Sequence, residues 1–101
     1  MNYVSCIIQI LEIPPTELYE NKINTIRLRA QLPYVRNKIQ SPIIIHLVIW
    51  GDLVYDIVNY YRINDYALVE GYLSISYDTQ NKQQMITINI TKFYPFLFAL
   101  E

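Results

Sequence analysis

Arg27 and Arg29 alternate along one strand-like segment, and Arg36 and Lys38 follow a few residues later. Four cations spaced this way can line one side of a sheet and its loop and neutralise successive phosphates of a nucleic-acid backbone. The plainer reading is a solvated outer face. Other chemistry is thinly supplied. The single histidine, His46, lies mid-strand with no sequence cue to a nucleophile or carboxylate beside it, so it reads as a strand residue before a catalyst. One Cys and one His cannot build a metal cluster, and a lone cysteine cannot close a disulfide within the chain. Cys6 reads as a small buried hydrophobe. Two glycines leave no room for a phosphate-cradling loop. Neither enzymatic activity nor a cofactor is expected.

A chain of 101 residues is the size of one domain. Its 52% apolar content allows a compact core, but a domain this small leaves much surface exposed, which makes a homo-oligomer an expected state. Charged residues make up 17% and the net charge is −1. That balance argues against a generic polyanion binder and leaves room for a local basic stripe. The longest uncharged apolar run, Ile39 to Trp50, is too short to span a bilayer and contains Gln40, Ser41, Pro42 and His46. Met1 leads straight into a strand-like segment, with no stretch that reads as a transit or signal peptide. The chain has 17 Ile, 10 Tyr and 8 Asn against 2 Gly, 3 Ala and 4 Arg, the bias of an A/T-rich genome. An organellar gene is one source and an A/T-rich bacterium the other.

The elements that must carry these residues follow from periodicity. A first strand is expected from Tyr3 to Ile13, stopped by Pro14 and Pro15. The second, Thr25 to Leu32, alternates Ile26, Leu28, Ala30 and Leu32 against Arg27, Arg29 and Gln31. The third, Pro42 to Trp50, sets an apolar row of Ile43, Ile45, Leu47 and Ile49 against Ile44, His46, Val48 and Trp50. Gly51 breaks it, and Asp52 is a good N-cap for a short amphipathic helix carrying Leu53, Val54, Ile57, Val58 and Tyr61. Asn64-Asp65 reads as a turn. The fourth strand, Tyr66 to Tyr77, alternates Ala67, Val69, Gly71, Leu73 and Ile75 against Leu68, Glu70, Tyr72, Ser74 and Ser76, and Gly71 marks a bulge or sharp bend. The fifth, Met85 to Phe93, turns Ile86, Ile88 and Ile90 inward. An all-β, five-stranded Greek-key barrel with one short helix between strands 3 and 4 is the OB-fold plan. An SH3-like or other small barrel has the same inventory of elements. Residues 1–96 form the expected domain, and 97–101 a short apolar C-terminal tail.

The block from His46 through Tyr61, continued by Asp65 to Leu73, strongly resembles the single-stranded-DNA-binding-protein family. The matching residues are Trp50, Gly51, Leu53, Tyr60, Val69, Glu70, Gly71 and Leu73. The N-terminal half resembles a narrower relative, the plastid and cyanobacterial family called hypothetical chloroplast reading frame 41. It matches at Ser5, Cys6, Ile7, Glu12, Ile13, Pro15, Leu18 and Tyr19, and again at Gln31, Leu32 and Pro33. The resemblance reaches to about Phe96.

The resemblance implies an OB barrel that stacks bases on exposed aromatics while cations follow the phosphates. Trp50 stands where the family carries a stacking aromatic. Tyr72, Tyr77 and Tyr34 are further candidates, beside Arg27, Arg29, Arg36 and Lys38. For most of the tyrosines a structural role is the plainer reading. The expected partner is single-stranded DNA, with RNA as the alternative, and the expected setting is DNA replication or maintenance in a plastid (chloroplast), with the bacterial cytoplasm as the alternative. Three departures thin the site. Asp52 follows Trp50-Gly51 where many relatives have a basic or polar residue, and Tyr72 stands where the family often has Arg. The family's Gly/Pro-rich linker and acidic tip are replaced by the apolar segment Tyr94 to Glu101, which suits a protein partner. The competing function is a non-catalytic protein-interaction subunit that kept the barrel and lost strong nucleic-acid binding.

Overall fold

The computed structural model describes residues 2–14, 25–33 and 43–97. Five strands and one helix follow in the order β1 (Asn2–Glu12), β2 (Thr25–Gln31), β3 (Ile44–Trp50), α1 (Leu53–Tyr60), β4 (Tyr66–Asp78) and β5 (Gln83–Pro95). The strands close into a barrel in the spatial order β1-β2-β3-β5-β4. All neighbours are antiparallel except β3 and β5, which run parallel with Ile45 beside Ile86 and Leu47 beside Ile88. A helix between the third and fourth strands and a parallel closure of the third on the fifth define the OB plan, as expected.

Alternation explains the core. On β2, Ile26, Leu28 and Ala30 are buried while Thr25, Arg27 and Arg29 are exposed. On β3, Ile45, Leu47 and Ile49 are buried. Ile8 and Ile10, Ala67 and Val69, and Ile88 and Ile90 complete the lining from the other strands. The apolar stripe of α1 adds Val54 and Ile57 to the same core. Each fully buried Leu, Ile or Val contributes roughly 1.5–3 kcal/mol.

Both glycines have a physical reason. Gly51 adopts φ +73°, the left-handed turn that takes the chain from β3 into α1. Gly71 sits at a register shift between β4 and β5, where a Cβ would run into the carbonyl oxygen of Asn89. The bend expected at Gly71 is therefore a bulge made possible by close backbone approach.

Four details differ from the sequence reading. Asp52 holds the N-cap position, but its backbone is already helical (φ −65°, ψ −24°) and its side chain makes no capping bond. The first turn closes through Val54 N–H donating to the Gly51 carbonyl at 3.0 Å instead. Ile75 is 57% exposed although it shares a face with buried Ala67 and Val69, because β4 runs past the end of its ladder with β1, where Asn2 pairs with Leu73. Ile43 is half exposed and precedes β3. Finally, Tyr94 and Pro95 belong to β5, and Phe96 N–H donates to the Tyr66 carbonyl at 3.1 Å, so the strand runs beyond Phe93.

Candidate nucleic-acid interface

The outward residues of β2, β3, β5, β4 and β1 form one wall. Register makes it continuous: Arg27 pairs with Val48, Val48 with Asn89, Asn89 with Tyr72, and Tyr72 with Tyr3. Four strand spacings of about 4.8 Å give this row a length of roughly 19 Å. A second row runs beside it through Arg29, His46, Thr87 and Ser74. Trp50 stands at the end of β3 opposite Thr25, and its ring is 59% exposed. That exposure keeps Trp50 out of the core.

The cations differ in freedom. Arg29 lies 3.6 Å from the Glu12 carboxylate across the β1–β2 ladder. Arg27 has no carboxylate partner among the described residues. On β3, opposite Arg29, sits His46, held below the ordinary imidazole range by burial first and then by the Arg27 and Arg29 guanidinium groups. The β2–β3 part of the wall is thus cationic around Arg27, in a chain of net charge −1, while Glu70 lies beside Tyr3.

Tyr72 is exposed, and its ring meets Tyr3 edge to face, with centroids 5.0 Å apart and planes at 73°. The Tyr3 hydroxyl donates to Glu70 at 3.0 Å and shares a 2.8 Å hydrogen bond with Thr91 Oγ1. These bonds fix Tyr3, which in turn braces Tyr72. Sequence reading passed over Tyr3: alternation marks it as outward, but only the pairing of β1 with β4 puts it beside Tyr72.

Tyr77 is exposed too, but five residues after Tyr72 it points to the other side of β4. It shares a face with Leu73 and Ile75 on the hairpin arm, opposite Gln84. The wall therefore brings together Arg27, Arg29, Trp50 and Tyr72, and leaves Tyr77 apart. Tyr34, Arg36 and Lys38 lie outside the described residues, as do Pro15, Leu18 and Tyr19 of the N-terminal resemblance. Lys82 sits in the β4–β5 turn with φ +55°, away from the row. Among the described residues no group of His, Cys, Asp or Glu is arranged to hold a metal, and no helix is long and apolar enough to cross a membrane.

The closed five-stranded barrel with this topology is an OB domain on the single-stranded-DNA-binding plan, and solved structures agree. It superposes on the SSB domain of a Synechococcus sp. protein with a TM-score of 0.66 at 20% identity, covering 93% of this chain and 94% of that one. It also superposes on the small single-stranded DNA-binding protein from Streptomyces coelicolor with a TM-score of 0.73 at 13% identity, covering 95% and 94%. The chain is 38% identical over 102 aligned residues to the "Putative single-stranded DNA-binding protein ycf41" of Trieres chinensis, across 96% of this chain and 90% of that protein. The chain belongs to the ycf41 family. A family model described as the SECRET domain of tumour necrosis factor receptor also matches residues 20–93. That stretch omits β1, which closes the barrel against β4, whereas the ycf41 match spans nearly the whole chain.

Proposed function

We propose that this chain binds single-stranded DNA, without strong sequence preference, along the outer wall of β2, β3, β5 and β4. Bases stack on Trp50 and Tyr72, and Arg27 and Arg29 face the phosphates. The observation that carries this reading is the in-register row from Arg27 to Tyr72 on an OB barrel, with exposed Trp50 at its edge. Stacking platforms beside a cationic track are the working parts of sequence-tolerant strand binding. Tyr34 adds a further stack, Arg36 and Lys38 add phosphate contacts, and Tyr77 meets a strand that wraps onto the hairpin arm. The printed name of the Trieres chinensis relative supports the same ligand.

The test is titration of Trp50 fluorescence with oligo-dT at two salt concentrations, with oligo-U in parallel for RNA. Quenching that weakens as salt rises is expected, since phosphate neutralisation releases counterions. Absence of both quenching and gel retardation at low salt overturns the proposal.

The setting follows the same support. The relative is a ycf protein of a diatom, where such genes are plastid-encoded, and the A/T-rich composition suits that origin. Plastid DNA replication or maintenance is the process proposed, and detection in purified plastids checks it. Self-association is supported by β1: among the described residues, Asn2 to Ile8 pair only with β4, which leaves the other edge of that half-strand open. A second reading, a protein-interaction subunit, draws on the Arg29–Glu12 pair, which removes part of the cationic track. Recovery in a nuclease-resistant protein assembly would favour it.

A further inference from the structure

An open groove of about 740 Å³ lies where α1 ends and β5 leaves the barrel. The rings of Tyr60, Tyr61, Phe93 and Phe96 line it together with the carboxylates of Asp56 and Asp65. Among the described residues no Lys, Arg or His lines it, and neither do Arg27, Arg29, Trp50 or Tyr72. It is thus separate from the basic wall and opposite in charge.

The negative field of the groove is felt inside it. The Tyr61 hydroxyl is held above the ordinary phenol range, first by burial, then by Asp56 and Asp65. Tyr61 is fixed edge-on against Phe93, with centroids 4.8 Å apart. Tyr60 stands 78% exposed at the rim, a large ring surface facing water. Asp65 is oriented by the Arg62 N–H, which donates to its Oδ2 at 2.9 Å. Asp56 is exposed on α1 and has no cationic partner among the described residues.

Rings attract cations through their faces, and an arginine offers a flat cation on an apolar stem. Two carboxylates on an aromatic floor therefore complement an arginine flanked by apolar residues. The volume suits several side chains, as in other ligand clefts. We propose that this groove is the docking site for an arginine-bearing, otherwise apolar peptide segment of a partner protein. The guanidinium faces Asp56 and Asp65, and the apolar residues lie on the exposed Tyr60 ring. The proposal does not depend on the nucleic-acid reading.

Calorimetric titration of the full chain tests it, with an acetylated, amidated heptapeptide of alternating leucine and arginine. Saturable binding is expected, with none from the peptide in which glutamate replaces arginine. Asp56→Asn should weaken binding about two- to fivefold, the loss of one exposed charge pair. Circular dichroism reports whether that exposed substitution leaves the fold intact, and Tyr60→Ala supplies a second variant expected to weaken binding. Saturating oligo-dT should leave the peptide affinity unchanged. The proposal is overturned if the arginine peptide releases no heat, if both variants bind it as tightly as the parent, or if oligo-dT displaces it. Binding that appears only in a chain shortened to end at Leu97 would assign the groove to residues 98–101 and overturn it equally.

Discussion

Trp50 is the residue on which the binding reading turns, because it alone couples a stacking surface to an optical signal. Each base–aromatic stack is worth about 1–3 kcal/mol, so Trp50→Ala should weaken oligo-dT binding by roughly five- to 150-fold in fluorescence anisotropy with labelled DNA. The two arginines should differ. Arg27→Ala is expected to lower the slope of log affinity against log salt by about 1. Arg29→Ala should lower it less, since Glu12 already opposes that charge at 3.6 Å, and Glu12→Gln should strengthen binding. His46 adds a proton linkage. Free of ligand, its imidazolium is disfavoured by burial and by Arg27 and Arg29. A phosphate seated on the arginines reverses that bias, so the complex takes up protons and affinity should rise as pH falls toward and below the ordinary imidazole value. His46→Gln should flatten the profile, measured as dissociation constants between pH 5.5 and 8, roughly the window in which imidazole titrates.

The elements carry different tests. Gly71→Ala forces a Cβ against the Asn89 carbonyl and the Ile88 side chain, where backbone must move. A loss of about 1–3 kcal/mol or more is expected in urea unfolding. Gly51→Ala meets no neighbour within 4 Å, so its expected loss is about 1–2 kcal/mol, the left-handed backbone alone. These elements also show what a sequence can and cannot carry. The clean alternation in β2 and the i, i+4 stripe in α1 are local patterns, so both are legible. Gly71 is legible because a glycine inside an alternating strand has few other uses. Ile75 misleads, since its alternation is correct but its burial depends on how far other strands extend. Tyr72 and Tyr77 read alike as exposed tyrosines on one strand, and only their odd spacing separates their faces. The parallel pairing of β3 with β5 has no local signature, so the row from Arg27 to Tyr72 could not be assembled before the fold was known. The groove beside α1 is hidden for the same reason, because its rings and carboxylates come from α1, the turn after it, and the end of β5.

At the scale of the molecule, one small core must stabilise both wall and groove. Leu47 is fully buried at its centre, and Leu47→Ala should cost about 2–5 kcal/mol, a large share of the 5–15 kcal/mol typical of a domain. Unfolding by circular dichroism would read it, and loss of oligo-dT binding should track loss of the fold. Sedimentation should return a mass above the 12.0 kDa of one chain if the open half of β1 mediates self-association. The order in which the barrel closes has a further consequence. Tyr3 pairs with Tyr72, and Ile45 with Ile86, so neither seam can form until most of the chain has been made. A nascent chain that has emerged only as far as α1 therefore holds the apolar rows of β1, β2 and β3 with nothing yet to cover them. Contacts this distant in sequence make folding slow, on the order of milliseconds to seconds. During synthesis the chain passes through an interval in which holdase chaperones and aggregation compete for those rows.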